Sequence, residues 1–129
     1  MTSKWQLLSG RVLLSVIFIL SGLGKLPHFQ DVAGMMAAKG IPLASVALVI
    51  TLLIEIVGGL LVLTGYKARY AALVIALWLI PVTLVFHHFW GIPADQQQEQ
   101  MINFLKNIAI MGGLMILAYA SPKTAEARA

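Results

Sequence analysis

Hydrophobic positions along the chain gather into four long runs, each closed or interrupted by a few polar residues. The run from Ala44 to Leu63 is the most uniform, holding one acid, Glu55, among apolar residues and a threonine. At about 1.5 Å per residue it covers roughly 30 Å, the hydrocarbon thickness of a bilayer, and it predicts a transmembrane helix. Thr64-Gly65 is a left-handed stop for that helix. The run before it, from Gln6 to Gly24, sets Arg11, Ser15, Phe18, Gly22 and Lys25 along one face at helical spacing, a face expected to point into a bundle. It is too long and too polar at its end for a cleaved leader, and is expected to remain as a span. A third run extends from Ala68 to Phe86 with Pro81 inside it, where a kink is expected. The fourth begins around Gln100, is polar in its first turns, becomes apolar from Ile108 to Tyr119, and ends at Pro122.

The connections carry their own signals. Pro27 stops the first span and Gly40-Ile41-Pro42 introduces the second, with Phe29–Lys39 between them predicting a short interfacial helix whose Met35-Met36 pair faces lipid or protein. Tyr66 to Tyr70 reads as a tight basic-aromatic turn, and Gly91 to Gln98 as a short polar loop. With four spans, both termini share a side with the middle turn. That side carries Lys4, Lys67, Arg69, Lys123 and Arg128, against Lys25 and Lys39 in the opposite loops, so the positive-inside rule places the termini in the cytoplasm. The expected fold is all-α, a single-domain integral membrane four-helix bundle with a short interfacial helix between spans one and two.

Composition agrees with this reading. Hydrophobic residues make up 60% of the 129 residues and charged ones 11%, with a mean hydropathy of +0.89, outside the range of a soluble globule. The formal charge of +4 is spread near span ends and forms no run, so it argues for membrane topology and against nucleic-acid binding. Cysteine is absent, which excludes disulfides, thiolate metal sites and CxxC redox chemistry. A redox role would therefore use a bound cofactor or a partner.

Polar groups at membrane depth are where chemistry is to be sought. A carboxylate in the hydrocarbon costs about 3 kcal/mol or more unless it is protonated, paired or facing a wet cavity, so Glu55 needs a partner. Counting from the cytoplasmic ends, Arg11 lies roughly 8 Å and Glu55 roughly 12 Å into their spans, depths that suggest an Arg11–Glu55 ion pair. Such a pair either locks two helices or makes Glu55 a proton acceptor or ligand-binding acid. Gly58-Gly59 are read as close-packing residues.

A second polar cluster is expected on the outer side. Gln100, Asn103 and Asn107 share a face of the fourth span with Lys106 beside them, while His87 and His88 arrive from the third span and Lys25 from the first. With Phe86, Phe89, Trp90 and Phe104 these residues suggest a pocket for a flat or anionic ligand such as a quinone head group. Lys106 snorkelling to the interface, and an aromatic belt with satisfied histidines, account for the same residues without a ligand. No metal is expected: adjacent histidines lack the i, i+4 spacing of zinc sites, and Asp95 and Glu99 are the nearby acids.

Four segments in this order resemble the DoxX family of small bacterial inner-membrane proteins. They are Gly22-Leu23-Gly24-Lys25-Leu26, Glu55-Ile56-Val57-Gly58-Gly59-Leu60, His87-His88-Phe89-Trp90 and Asn103-Phe104-Leu105-Lys106-Asn107. The resemblance implies four spans and polar family positions at Arg11, Lys25, Glu55, His87, Lys106 and Asn107. It also implies a relation to the membrane subunit of a thiosulfate:quinone oxidoreductase and to redox-stress complexes, hence an accessory role with redox partner subunits in the bilayer. No flavin, haem or nucleotide signature is present, so a self-contained enzyme is not expected. A structural scaffold, or a small-solute transporter that oligomerises through Gly58-Gly59 and Gly112-Gly113, are the other readings.

Overall fold

A computed structural model describes residues 2–122, with side chains from residue 4 onward. Lys123 and Arg128, counted above toward the topology, lie outside the described residues. Four helices are long and apolar enough to cross a membrane, and no strand occurs among the described residues. The first span, Thr2–Lys25, passes through a single 3-10 turn at Leu26–His28, where Pro27 sits, into the connecting helix Phe29–Ala38. The second span is Ala44–Thr64, the third Ala68–Phe86 and the fourth Ala94–Ala120.

The spans alternate in direction, each packing on its chain neighbour, and the fourth closes the ring against the first. Outward positions such as Leu13, Leu77 and Ile116 are exposed, as a lipid-facing surface requires. The apolar interior forms two clusters. One, around Phe18, Val62, Ala72, Ile75 and Leu114, fills the half nearer the termini. The other joins Ala33 and Met36 of the connecting helix to Leu48 and Leu52 of the second span. The connecting helix therefore caps the bundle as well as meeting the surface: Met36 is buried while Met35 stays half exposed.

Two expectations about local structure are corrected. The fourth helix begins at Ala94, so much of the loop expected over Gly91 to Gln98 is its first, solvent-exposed turns. Polar side chains such as Gln96 and Gln97 obscured that start because hydrophobicity, the signal followed, reports the membrane and not the helix. The second span is not a uniform α-helix either: Leu53–Gly58 runs as a π-helical segment between α-helical halves. Pro81 is accommodated inside the continuous third helix.

Glycines set how closely the first and second spans approach. A Cβ at Gly22 would stand 2.6 Å from Ile56 Cγ1, and one at Gly59 would stand 2.8 Å from Ile19 Cγ1. On the other side of the second span, Gly58 lies under Ile75 of the third. Gly58-Gly59 are thus consumed by packing within one chain, which removes them from the oligomer contact considered above. Gly112 keeps open space around it.

Candidate functional site

The close approach at Gly22 fixes the register of the two antiparallel spans, and with it the partner of Glu55. Opposite Gly22 stand Glu55 and Ile56, opposite Gly59 stand Phe18 and Ile19, and opposite Gly65 stands Arg11. Arg11 and Gly22 are thus separated by roughly 16 Å along the helix axis. The expected Arg11–Glu55 pair does not form. Depth counted from each span's own end gave the two residues similar values, but Arg11 faces the turn beyond the second span.

The partner is Lys25, whose Nζ lies 2.7 Å from Glu55 Oε1. The carboxylate is buried at 2% exposure and the lysine side chain is 28% exposed, so the pair spans the edge of the interior. Lys25 Nζ also donates to Ser21 Oγ at 2.7 Å and, at 3.4 Å, to the Ser21 carbonyl one turn back. Ser21 was not singled out in the sequence, although its i, i+4 spacing from Lys25 was there to be read. Among the described residues Glu55 Oε2 accepts no hydrogen bond.

Glu55 is carried on the π-helical segment, on the buried stripe formed by Leu48, Leu52, Glu55, Gly59 and Val62. Single π-turns inside α-helices are rare and concentrate at functional sites.

A cavity of about 350 Å³ lies between the two apolar clusters. Its polar wall is Ser21, Lys25, Thr51, Glu55, His87 and Asn107, and its apolar wall includes Met35, Met36, Leu48, Trp78 and Phe86. Glu55, expected in an inner cluster, and Lys25, His87 and Asn107, expected in an outer one, line the same cavity. Asn107 Nδ2 donates to the buried Thr83 Oγ1 at 3.1 Å, which orients the amide and ties the fourth span to the third. His87 Nδ1 is 3.0 Å from Gln100 Oε1, a hydrogen bond when Nδ1 carries the proton, leaving Nε2 an acceptor.

Four residues assigned to the pocket stand elsewhere. His88 Nδ1 donates to the Leu84 carbonyl at 3.2 Å, and its ring lies against Trp90. Trp90 packs edge-on with Phe89 and Phe104 in an aromatic cluster that follows His87 in the chain. Asn103 is partly buried but does not reach the cavity wall, and Lys106 is exposed. Helical spacing placed Asn103, Lys106 and Asn107 close together in sequence, yet only Asn107 points between the spans. Lys39 Nζ lies 5.7 Å from the ring centroid of Phe86, itself part of the cavity wall.

These features define a class: a four-span membrane protein with a partly buried lysine–glutamate pair on the wall of a largely apolar cavity. The DoxX family model matches residues 6–88, and the chain belongs to that family. It is 30% identical to inner membrane protein YphA of Escherichia coli K12 over 90% of this chain and 83% of that protein. Inner membrane protein YqjF of the same organism is 32% identical, covering 89% of this chain and 83% of the relative. A Surfeit locus protein 4 homolog of Schizosaccharomyces pombe is 25% identical over 89% of this chain but only 34% of its own length. No solved structure matches the chain. With its four apolar helices, the chain is a multi-pass inner membrane protein.

Proposed function

We propose that this protein binds a small amphipathic molecule, of which a quinone is the best-fitting class, and serves as an accessory membrane subunit in quinone-linked redox metabolism. The observation that carries the reading is the make-up of the cavity: about 350 Å³, apolar along most of its wall, with Lys25–Glu55, His87 and Asn107 gathered in it. That volume falls within the range of small-molecule sites. Lys25 makes two short hydrogen bonds, to Ser21 Oγ and Glu55 Oε1, and a long one to the Ser21 carbonyl, so one N–H can turn to a ligand oxygen. Glu55 Oε2, Asn107 Oδ1 and the second nitrogen of His87 supply acceptors. Donor and acceptors together suit a head group that alternates between carbonyl and hydroxyl, while Trp78, Phe86 and Met36 offer surfaces to a flat ring.

The basic residues Lys4, Lys67 and Arg69 put the termini in the cytoplasm on this reading, and the cavity in the outer half of the membrane. Redox partner subunits would supply the electrons, since no chemistry of this chain's own side chains does so.

The test is quenching of tryptophan fluorescence by a short-chain ubiquinone analogue, with the protein in lipid nanodiscs. Saturable quenching that is abolished in Trp78→Phe and weakened in Lys25→Met supports the reading. Quenching that is unsaturable, or unchanged in both variants, overturns it and leaves Lys25–Glu55 as a packing device.

A further inference from the structure

Glu55 carries an acceptor that the protein leaves unanswered. Oε1 is taken by Lys25 Nζ at 2.7 Å, while Oε2 accepts no hydrogen bond among the described residues, although the side chain is only 2% exposed. Oε2 is not sealed in packed protein: among the described residues, the buried side-chain nitrogen or oxygen that is both enclosed and unpartnered is Arg11 Nε, far along the first span. Glu55 belongs to the cavity wall, so the small exposure Oε2 retains is toward the cavity. An unpartnered oxygen on a buried carboxylate is costly, and a ligand that brings it a donor recovers a charge-assisted hydrogen bond.

The other polar groups on the wall serve a ligand oxygen of either kind. Lys25 Nζ donates to a carbonyl or to a hydroxyl oxygen, and the hydroxyls of Ser21 and Thr51 donate or accept. Asn107 gives one N–H to Thr83 Oγ1 and keeps its second N–H and its carbonyl. His87 meets Gln100 through Nδ1, and turning the Gln100 amide over exchanges the tautomer, so Nε2 presents an acceptor or a donor as the ligand requires. Glu55 has no such freedom. Paired with the Lys25 ammonium as a carboxylate, it only accepts.

We infer that Glu55 makes the cavity selective for the reduced, dihydroxy form of its ligand over the oxidised, dicarbonyl form. The inference rests on the quinone reading above and adds the redox state that the site favours.

The two forms share a ring and differ by two electrons and two protons. A phenolic hydroxyl accepts from Lys25 as a carbonyl does, and in addition gives its O–H to Glu55 Oε2. A carbonyl oxygen in that place sets lone pairs against lone pairs and leaves the carboxylate desolvated. The reduced form should therefore bind roughly tenfold more tightly or better, as the gain of one hydrogen bond to a charged group implies. Each tenfold of that preference raises the reduction potential of the bound two-electron couple by about 30 mV, so the ligand is easier to reduce in the cavity than free in the bilayer.

Isothermal titration calorimetry of the protein in lipid nanodiscs under nitrogen, with a short-chain ubiquinone analogue and with its hydroquinone, tests the selectivity. The hydroquinone is expected to bind about tenfold more tightly or better to the wild-type protein, a comparison that needs no variant to fold. Glu55→Gln turns an amide N–H group toward the cavity in place of Oε2 and should bring the two affinities within about threefold of each other. Lys25→Met combined with Glu55→Gln, which removes the charge pair whole, should do the same, with thermal unfolding confirming that both variants are folded. Equal affinities or tighter binding of the oxidised form by the wild-type protein, or a preference unchanged in either folded variant, would overturn the selectivity and leave the quinone reading standing. Saturable binding of neither form would overturn both.

Discussion

Lys25 and Glu55 meet at 2.7 Å across the first and second spans, thirty residues apart in sequence, with Gly22 supplying the space. The lysine belongs to the end of one helix and the acid to the middle of another. Their meeting puts a charge pair on the wall of an otherwise apolar cavity.

Removing one member of the pair should cost more than removing both. Glu55→Gln leaves an ammonium facing the cavity and is expected to lower stability by about 1–3 kcal/mol, the upper range for buried pairs being reduced by the lysine's partial exposure. Lys25→Met combined with Glu55→Gln should recover part of that loss. Thermal unfolding of the single and double variants in detergent measures the coupling, and strictly additive losses would show that the pair contributes nothing.

Gly22 should tolerate no side chain. Its Cβ would fall 2.6 Å from Ile56 Cγ1 and 3.2 Å from Glu55 Cβ, so Gly22→Ala is expected to destabilise by about 1–3 kcal/mol through overpacking. Gly24→Ala, where nothing lies within 4 Å, serves as the control and should be near neutral. The comparison is a pair of melting curves, and equal melting temperatures would contradict the register described here.

Cavity-lining residues should separate from their neighbours in ligand binding. Asn107→Ala and His87→Ala are expected to weaken binding of a ubiquinone analogue by roughly fivefold or more, the loss of one hydrogen bond each. Lys106→Ala, on the exposed face, should change it less than twofold. Titration by tryptophan quenching gives the three affinities, and a larger effect at Lys106 than at His87 would move the site out of the cavity.

Topology can be read from single cysteines because the chain has none of its own. Lys67→Cys is expected to react with a membrane-impermeant maleimide only after the bacterial cells are opened, and Gln97→Cys in intact spheroplasts. The reverse pattern would invert the orientation inferred from the basic residues.

The sequence by itself determined that four helices cross a membrane, because an apolar run of sufficient length has no other way to satisfy its backbone in lipid. It determined that Glu55 needs a partner, since the cost of polarity at depth is a property of the residue, but it grouped His88, Trp90, Asn103 and Lys106 with Lys25, His87 and Asn107 without separating them. Tertiary structure alone decided who meets whom. Gly22 and Gly59 set the register between two antiparallel spans, exchanging Arg11 for Lys25 as the partner of Glu55 and setting Arg11 against Gly65. Rotation of the fourth span turned Asn107 inward and Lys106 outward, although both sit on one helix a residue apart. Periodicity along a helix says which residues share a face, while the height and rotation of that helix against its neighbours follow from side-chain contacts between segments far apart in the chain.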